Sequence, residues 1–520
     1  MRQDTNRKTT SEITDSGTTA NTAANTTTVH TNGRSDGTNG KATAGTVTDW
    51  KRIGWLTAAV IVLGAVIGVG AGLLTLLLYG VEHVMLGYIE GSSMPGPFIV
   101  PGWRRAVSVT VGLSIAAVIW YLLRTKTTKV PSVKKAVDGE RMPWWQTLLH
   151  VVLQIFIVGS GASIGREVAP RELGAMLAQR FCDIFHLQDL DRRLVVAVAA
   201  GAGLGGVYDA PLAGMFFAVE ILLANITVEN VAFGLGSSAV AAFVATLIKG
   251  HHTFYDITAM QPGETPTLML FALLCGAVCG VAGALFRKGS QWAESHKPTG
   301  KALMWQMPLA GVITGAVALW VPQVMGNGRA DAQLGFSTFI GNDSGAALSS
   351  ASAGASPWNL LGFGIAGDTS PDAGTHPYTA LSTGMGLGGD LRQYFWPMLG
   401  LLAVSFAAKA IVTLLTIRSG ASGGVLQPGI ALGATMGAML ALPWLLVCPI
   451  DSVTACALIG AAALLSASQQ APLMAMCLVM ELTEAPITFF VPVGMAVAVS
   501  AFTSHWLLER WSNTKRAQRQ

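Results

Sequence analysis

The sequence predicts an all-α, polytopic membrane protein made of two homologous helical repeats, expected to be inverted, whose broken half-helices meet at a central site. Three observations support this prediction. The composition is strongly apolar, full-length apolar segments alternate with interrupted ones, and two motifs recur about half a chain apart.

The composition is that of a membrane protein. Hydrophobic residues make up 51% of the chain and charged residues only 12%, whereas about 25% of the residues in an average soluble domain are charged. The formal net charge is only +4, which gives no reason to expect a nucleic-acid partner. We therefore expect a lipid bilayer around the chain, as part of a cell membrane, and no nucleic-acid partner.

Both ends of the chain are polar. Residues 1–45 are rich in Thr, Asn, Gly and Ser, and they offer too little apolar surface to repay the entropy of folding, which predicts a disordered tail. Basic residues precede the first apolar segment and recur in a basic tail at 513–520. Under the positive-inside rule both termini are cytoplasmic. Between the tails we expect a first repeat at 46–250 and a second at 251–512.

Apolar segments of two kinds follow one another. A membrane span needs about 20 residues, and segments of that class lie near 53–79, 104–123, 145–160, 231–248, 266–286, 303–324, 393–417 and 487–508. Gly, Pro or charge interrupts the others, at 168–182, 192–206, 211–225, 426–447, 453–467 and 471–483. Because irregular backbone at membrane depth is tolerated only inside protein or beside water, these half-helices predict a transport site. Residues 342–391 predict an extramembrane loop.

Two motifs recur at nearly the same spacing. Residues 161–165 read Gly-Ala-Ser-Ile-Gly and residues 420–424 read Gly-Ala-Ser-Gly-Gly, an offset of 420 − 161 = 259. Ala-Pro-Leu at 210–212 returns at 471–473, an offset of 471 − 210 = 261. Two matches in the same order indicate a duplicated unit. In membrane proteins such halves often share a site at their interface.

Each Gly-rich turn leads into a short helix with a proline near its start, Pro170 or Pro428, as expected of a helix N-terminus. Such a terminus presents free N–H groups and about half a positive charge. Two of them together could therefore hold an anion without a Lys or Arg side chain. Binding of this kind is weak enough for the anion to be released. We therefore predict a central anion site. Its candidate residues are Arg166, Glu167, Val168, Val425 and Leu426, with the motif glycines Gly165, Gly423 and Gly424.

Glu167 is a candidate gate. A carboxylate inside a membrane costs at least about 2.5–3.5 kcal/mol unless it is compensated, and the amides that would bind the anion could also bind this side chain. The carboxylate would then compete with the anion, leave on protonation and serve as a proton carrier. In the alternative interpretation Glu167 caps its own helix or pairs with Arg166.

These motifs together resemble the CLC family of chloride channels and proton/chloride exchangers. The resemblance covers most of 53–508 and includes Gly-Arg-Glu at 165–167, Gly-Gly-Val-Leu-Gln-Pro at 423–428 and the two Ala-Pro-Leu segments, each followed by a glutamate. It implies a homodimer with one anion path per subunit, two antiparallel halves in each subunit, chloride and possibly protons as transported ions, and no cofactor or metal. In that family the glutamate of Gly-Arg-Glu is the external gate, which matches Glu167.

Several positions depart from the family pattern. The family serine that contacts the central anion is matched by Thr128, within Thr-Thr-Lys-Val-Pro at 127–131. Leu426 stands where the family usually has phenylalanine. The internal glutamate that exchangers usually carry is Ile221, and the late pore tyrosine has no match after Tyr394. The choice between a channel and an exchanger therefore stays open.

Glu220 and Glu481 occupy equivalent places in the two repeats, each about ten residues after Ala-Pro-Leu. Their symmetry favours hydrogen bonding at helix ends over proton conduction. A fluoride-selective or nitrate-selective relative of the CLC type remains an alternative. So does an intramembrane serine hydrolase, since both Gly-rich segments fit G-x-S-x-G. A hydrolase needs one nucleophile with a base, whereas this motif occurs twice, so we expect no enzyme activity.

Overall fold

The computed structural model describes residues 50–91, 94–187, 189–257, 260, 265–336 and 391–517. The tail predicted at 1–45 and the loop predicted at 342–391, apart from residue 391, lie outside these residues. The boundaries assigned to the two repeats and to the tails therefore stay predictions.

Eight helices form the first half of the described chain. They are α1 Trp50–Met85, α2 Gly102–Lys126, α3 Val133–Val137, α4 Trp144–Gly159, α5 Val168–Phe185, α6 Asp189–Tyr208, α7 Pro211–Phe216 and α8 Val228–Lys249. A π-helical turn, Phe217–Leu222, continues α7. The α7 helix begins with Pro211, where a missing N–H leaves no hydrogen bond unmade.

The second half repeats this plan. It comprises α9 Pro266–Ser295, α10 Leu303–Trp320, α11 Arg329–Phe336, α12 Leu391–Arg418, α13 Leu426–Leu445, α14 Val453–Gln469, α15 Pro472–Thr483 and α16 Phe490–Ala517. The α16 helix extends into the segment predicted as a basic tail, of which residues 518–520 lie outside the described chain.

The duplication extends over four consecutive helices. Helices α5, α6, α7 and α8 correspond in order to α13, α14, α15 and α16, and their first residues are offset by 426 − 168 = 258, 453 − 189 = 264, 472 − 211 = 261 and 490 − 228 = 262. The recurrence seen in two short motifs therefore reflects two homologous helical units. The predicted fold class, an all-α membrane protein with two repeats and short broken helices, is confirmed.

Among the described residues, eight helices are long and apolar enough to cross a membrane. Two length predictions were wrong. The segment near 145–160 forms a helix of only 16 residues, about 24 Å long at 1.5 Å per residue, because it ends at the turn of Ser160 and Gly161, where φ is +101°. Conversely, the segment at 426–447 forms an uninterrupted 20-residue helix, α13, with the length of a span.

Glycines let the central helices approach closely. A Cβ atom placed on Gly433 of α13 would lie 2.5 Å from the carbonyl oxygen of Gly460 on α14. In the first repeat, a Cβ atom on Gly201 of α6 would lie 2.3 Å from the carbonyl oxygen of Gly214 on α7. Small residues drive helix association in membranes in this way, because lipid supplies no hydrophobic force between helices. The tight packing fixes the starts of α5 and α13 at the centre.

Candidate functional site

The two repeats are joined at their equivalent glycines. The Gly165 N–H donates to the Gly424 carbonyl oxygen at 2.8 Å, and the Gly424 N–H donates to the Gly165 carbonyl oxygen at 2.8 Å. The offset between them, 424 − 165 = 259, is that of the sequence repeat. This reciprocal antiparallel pair brings the beginnings of α5 and α13 together, so the two Gly-rich turns predicted from the sequence form one site.

The Glu167 carboxylate binds the helix of the other repeat. Glu167 precedes α5, but its side chain makes no capping hydrogen bond to that helix. Instead, Oε1 accepts the Leu426 N–H at 2.6 Å, at the start of α13. The side chain is fully buried, and Oε2 has no hydrogen-bond partner among the described residues. A negative charge from the first repeat therefore occupies the N-terminus of a second-repeat helix.

Two glycines make the space for this carboxylate. A Cβ atom on Gly165 would lie 2.0 Å from Oε2 of Glu167, and one on Gly424 would lie 1.9 Å from Oε1. Gly423 packs against the first repeat, since its Cβ atom would lie 2.8 Å from side-chain atoms of Ile164. No larger residue fits at 165 or 424 while the carboxylate keeps this position.

The remaining backbone candidates flank the carboxylate. Val425 is the N-cap residue of α13, and Val168 is the first residue of α5. Both are half-buried. Of the predicted residues, the structure thus places Val168, Val425 and Leu426 with Glu167 at the two helix starts.

Arg166 points into a cavity of about 300 Å³, termed here the Arg166 cavity, which Tyr208, Lys249, Phe254 and Arg329 also line. Its guanidinium carbon lies 5.4 Å from the ring centroids of both Tyr208 and Phe254. The side chain is 3% exposed, and its Nε and Nη1 have no hydrogen-bond partner among the described residues. The side chain next to Glu167 in the sequence therefore brings positive charge to the wall of this cavity.

Thr128 lies elsewhere. It is exposed and lines a second cavity of about 460 Å³, termed here the Thr128 cavity, with Arg124 and Ser422 among its other residues. This cavity reaches the Gly-rich turn before α13, where Arg124 Nη2 donates to Ser422 Oγ at 2.9 Å. The structure therefore places Thr128 at an approach to the site, and Ser422 is the hydroxyl nearest in sequence to the start of α13.

The two cavities lie at opposite ends of α2. Glu90, in the loop between α1 and α2, lines the Arg166 cavity, and Thr128, just after the end of α2, lines the Thr128 cavity. With 25 residues, α2 is roughly 37 Å long, the thickness of a bilayer. Each cavity thus borders one of the two Gly-rich turns, the first through Arg166 and the second through Ser422.

Glu220 and Glu481 cap each other's repeats. Oε1 and Oε2 of Glu481 accept the N–H groups of Leu212 and Ala213, both at 2.8 Å, at the start of α7. Oε1 and Oε2 of Glu220 accept the N–H groups of Leu473 and Met474, at 3.2 and 2.8 Å, at the start of α15. The helix-end role predicted for both glutamates is confirmed, and its crossed, reciprocal form was not predicted.

The serines of the two G-x-S-x-G segments have structural partners. Ser163 shares a 3.0 Å hydrogen bond with the Thr413 hydroxyl, and Ser422 accepts from Arg124. Neither partner is a general base, so these contacts give a hydrolase no activated nucleophile. Among the described residues, no group of three or more His, Cys, Asp or Glu could hold a metal ion.

The sequence did not indicate the polar contact behind the start of α13. The Tyr255 hydroxyl donates to Gln427 Oε1 at 2.6 Å, and both side chains are fully buried. This bond fixes the second residue of α13, directly after the amide that Glu167 binds. Gln427 lies inside a recognised motif, but its partner is 172 residues away, so no local pattern could have identified it.

Comparisons with known proteins identify the family of the chain. A family model described as voltage gated chloride channel matches residues 111–505. The H(+)/Cl(-) exchange transporter ClcA of Vibrio vulnificus strain YJ016 is 26% identical over 449 residues, which cover 82% of each chain. The transporter of that name from Yersinia pestis biovar Antiqua strain Angola is 24% identical over 447 residues, 82% of this chain and 80% of that one.

Solved structures share the fold. A slow cyanobacterial Cl-/H+ antiporter superposes with a TM-score of 0.65 at 19% identity, covering 87% of this chain and 94% of that chain. A CLC-type fluoride/proton antiporter superposes with a TM-score of 0.59 at 16% identity, covering 88% and 97%. On the match to the family model, this chain belongs to the voltage gated chloride channel family, the CLC family that its motifs resemble.

Proposed function

We propose that this protein exchanges chloride for protons across a cell membrane, and that Glu167 is both its gate and its proton carrier. The observation that carries this proposal is the bond between the Glu167 carboxylate and the Leu426 N–H at the start of α13. A helix N-terminus that holds a carboxylate has the chemistry to hold chloride in the same place.

Opposing free-energy terms of similar size hold the Glu167 carboxylate in this position. Burying a carboxylate in a membrane costs at least about 2.5–3.5 kcal/mol, and a hydrogen bond to a charged group returns about 1.5–3 kcal/mol. The helix N-terminus adds up to about 2 kcal/mol. Because these terms nearly cancel, protonation, which removes the charge of Glu167, is sufficient to release the side chain and open the site to an anion.

The other candidate residues have supporting roles in this proposal. Gly165 and Gly424 leave room for the carboxylate or the ion, Gly423 packs the turn, and the backbone at Val168, Val425 and Leu426 forms the helix starts. Arg166 attracts anions into its cavity, and Thr128 lines the approach at the other end. Transport of this kind needs no covalent chemistry, cofactor or metal.

Exchange is favoured over a channel by the relatives. The curated proteins matched over 82% of this chain are named H(+)/Cl(-) exchange transporters, and chloride is the anion in that name. Ile221 stands where many exchangers carry an internal glutamate, so protons in this protein must reach Glu167 by another route.

We also propose that the protein is a homodimer with both termini in the cytoplasm. Because α1 then starts on the cytoplasmic side, the Arg166 cavity faces outward and the Thr128 cavity faces the cytoplasm. Chemical cross-linking in liposomes tests the assembly: a dimer-sized product is expected, and a monomer alone would contradict the dimer.

The experiment that tests the function uses purified protein in liposomes with an imposed chloride gradient. We expect chloride to move down its gradient and to drive protons uphill in the opposite direction, recorded together with a chloride electrode and a pH electrode. Chloride flux without proton movement would make the protein a channel. Parallel runs with fluoride and nitrate gradients test the anion, and faster coupled transport of either one would replace chloride as the substrate.

A further inference from the structure

A half-buried histidine and a buried glutamate contact each other in the first repeat. His150 of α4 and Glu172 of α5 are 2.9 Å apart, from Nδ1 to Oε2, and their side chains are 12% and 7% exposed. Gln154 Nε2 donates to the same carboxylate oxygen at 2.7 Å. The histidine ring also packs against Trp120, with ring centroids 5.8 Å apart. Two titratable groups thus share one polar cluster between two helices of the first repeat.

The pair has access to water. His150 and Glu172 both line the Thr128 cavity, which also reaches Ser422 in the turn before α13. Ionisable residues are expensive in membrane proteins, and those that border a water-filled cavity often mark proton or ion pathways. Glu220 and Glu481 cap helix N-termini, whereas within the described part of the chain the Glu172 carboxylate has hydrogen bonds to side chains only.

The pair is close to the gate. Glu172 follows Glu167 by five residues, a rise of roughly 7.5 Å along a helix axis. Between them, Arg171 Nε donates to the Glu167 carbonyl oxygen at 2.7 Å and so holds the first turn of α5. Five residues also turn roughly 140° around a helix axis, so a proton passes between the pair and the gate through the cavity, which reaches Ser422 in the turn before α13.

Charged groups from several elements surround the pair. Arg171 is its neighbour on α5, and Lys297, after α9, interacts with Glu172 electrostatically. The other charged residues around the same cavity are Arg124, Lys129, Lys135, Glu140 and Glu294. Lys297 is in turn paired with Glu294 at 2.6 Å, and Lys135 with Glu140 at 3.4 Å. Any effect of pH from this cavity includes these groups, so a control must come from among them.

We infer that His150 and Glu172 form a second proton-binding site, which passes protons between the Thr128 cavity and Glu167. The inference rests on the proposed exchange of chloride for protons. In each cycle the pair takes one proton from cavity water and gives it to the Glu167 carboxylate, or the reverse. Only the proton moves, and no bond between heavier atoms forms or breaks.

The test is Glu172→Gln in liposomes under a chloride gradient, with chloride and protons recorded together. Glutamine keeps the size and the hydrogen bonding but cannot carry the proton. We expect proton transport to fall by about tenfold or more, as when a positioned acid–base group is lost, while chloride flux continues. The matched control is Glu140→Gln, which removes a carboxylate from the same cavity at a side chain that is 51% exposed, and it should leave both fluxes unchanged.

A second variant distinguishes loss of the proton site from a folding defect in Glu172→Gln. His150→Gln leaves the Glu172 carboxylate in place and should reduce proton transport in the same selective way. If wild-type protein transports chloride without protons, the proposed exchange fails. If wild-type protein exchanges the two ions and both variants keep full coupling, this inference alone is overturned. Equal losses of chloride and proton transport, with a lower melting temperature, would make the pair structural and would also overturn it.

Discussion

At the scale of single residues, the main feature of the site is the small space around the Glu167 carboxylate. One oxygen binds the Leu426 N–H at 2.6 Å, and the glycines at 165 and 424 leave no space for a Cβ atom beside it. In the proposed function, this closely held side chain occupies the place of the transported anion. A chloride ion that replaces it needs the same space.

Gly424→Ala should therefore impair anion occupancy. Its methyl group would lie 1.9 Å from the position of Glu167 Oε1, and overpacking of this kind costs about 1–3 kcal/mol. We expect chloride flux to fall by about tenfold or more, measured as efflux from liposomes. Gly400→Ala is the control, since a Cβ atom there meets nothing within 4 Å. Wild-type flux in Gly424→Ala would show that the anion does not pass this point.

Single residues also mark the limit of sequence reasoning. Glu167, its glycines and the two helix starts follow from motifs and from the chemistry of helix ends. The position of Lys409 does not follow from any motif. This residue of α12 is fully buried, and its amine donates to the carbonyl oxygens of Val324 and Gly326, both at 3.0 Å. Those partners lie more than 80 residues away, and only the packing of distant helices shows that a charged lysine belongs in the core.

Among the helices, two glutamates link the repeats by capping each other's helix starts. Each carboxylate satisfies two N–H groups at the first turn of a helix in the other repeat, α7 for Glu481 and α15 for Glu220. These N–H groups have no partner within their own helices. Each helix start is therefore stable only when the two repeats are joined.

Glu481→Gln should lower stability more than it alters transport. The amide retains one acceptor oxygen but loses the second acceptor and the charge, and loss of a helix cap costs about 0.5–2 kcal/mol. We expect a lower melting temperature in detergent, and a similar shift for Glu220→Gln. Glu509→Gln, at a side chain that is 64% exposed, should leave the melting temperature unchanged. Lost proton coupling at an unchanged melting temperature would instead indicate a role in proton conduction.

Helix identity was predictable from the sequence, but helix length was less so. Apolar runs and the Gly and Pro breaks located the long helices of the described chain, although α9 and α16 continue nine residues past their predicted ends at 286 and 508 (295 − 286 = 9 and 517 − 508 = 9). The two errors, at 145–160 and 426–447, concern apolar runs that contain or adjoin a turn or a proline. Gly161 ends α4 through its positive φ, whereas Pro443 lies near the end of α13 and does not interrupt it.

At the scale of the whole molecule, the two repeats enclose one site between two cavities. The antiparallel pair of Gly165 and Gly424 joins the repeats at the site itself, so the proposed ion path would cross the interface between the repeats. The sequence predicted this meeting of halves from its duplication. It could not place Thr128, because the distance from the end of α2 to the start of α13 depends on the fold and not on the motif.

The most direct test is the pH dependence of chloride flux in Glu167→Gln. Glutamine resembles the protonated side chain, so it should not compete with chloride for the Leu426 N–H. We expect efflux from liposomes to stay high, to be independent of external pH and to be uncoupled from protons, while the wild-type flux varies with pH. If Glu167→Gln instead keeps the pH dependence of the wild-type protein, Glu167 is not the gate.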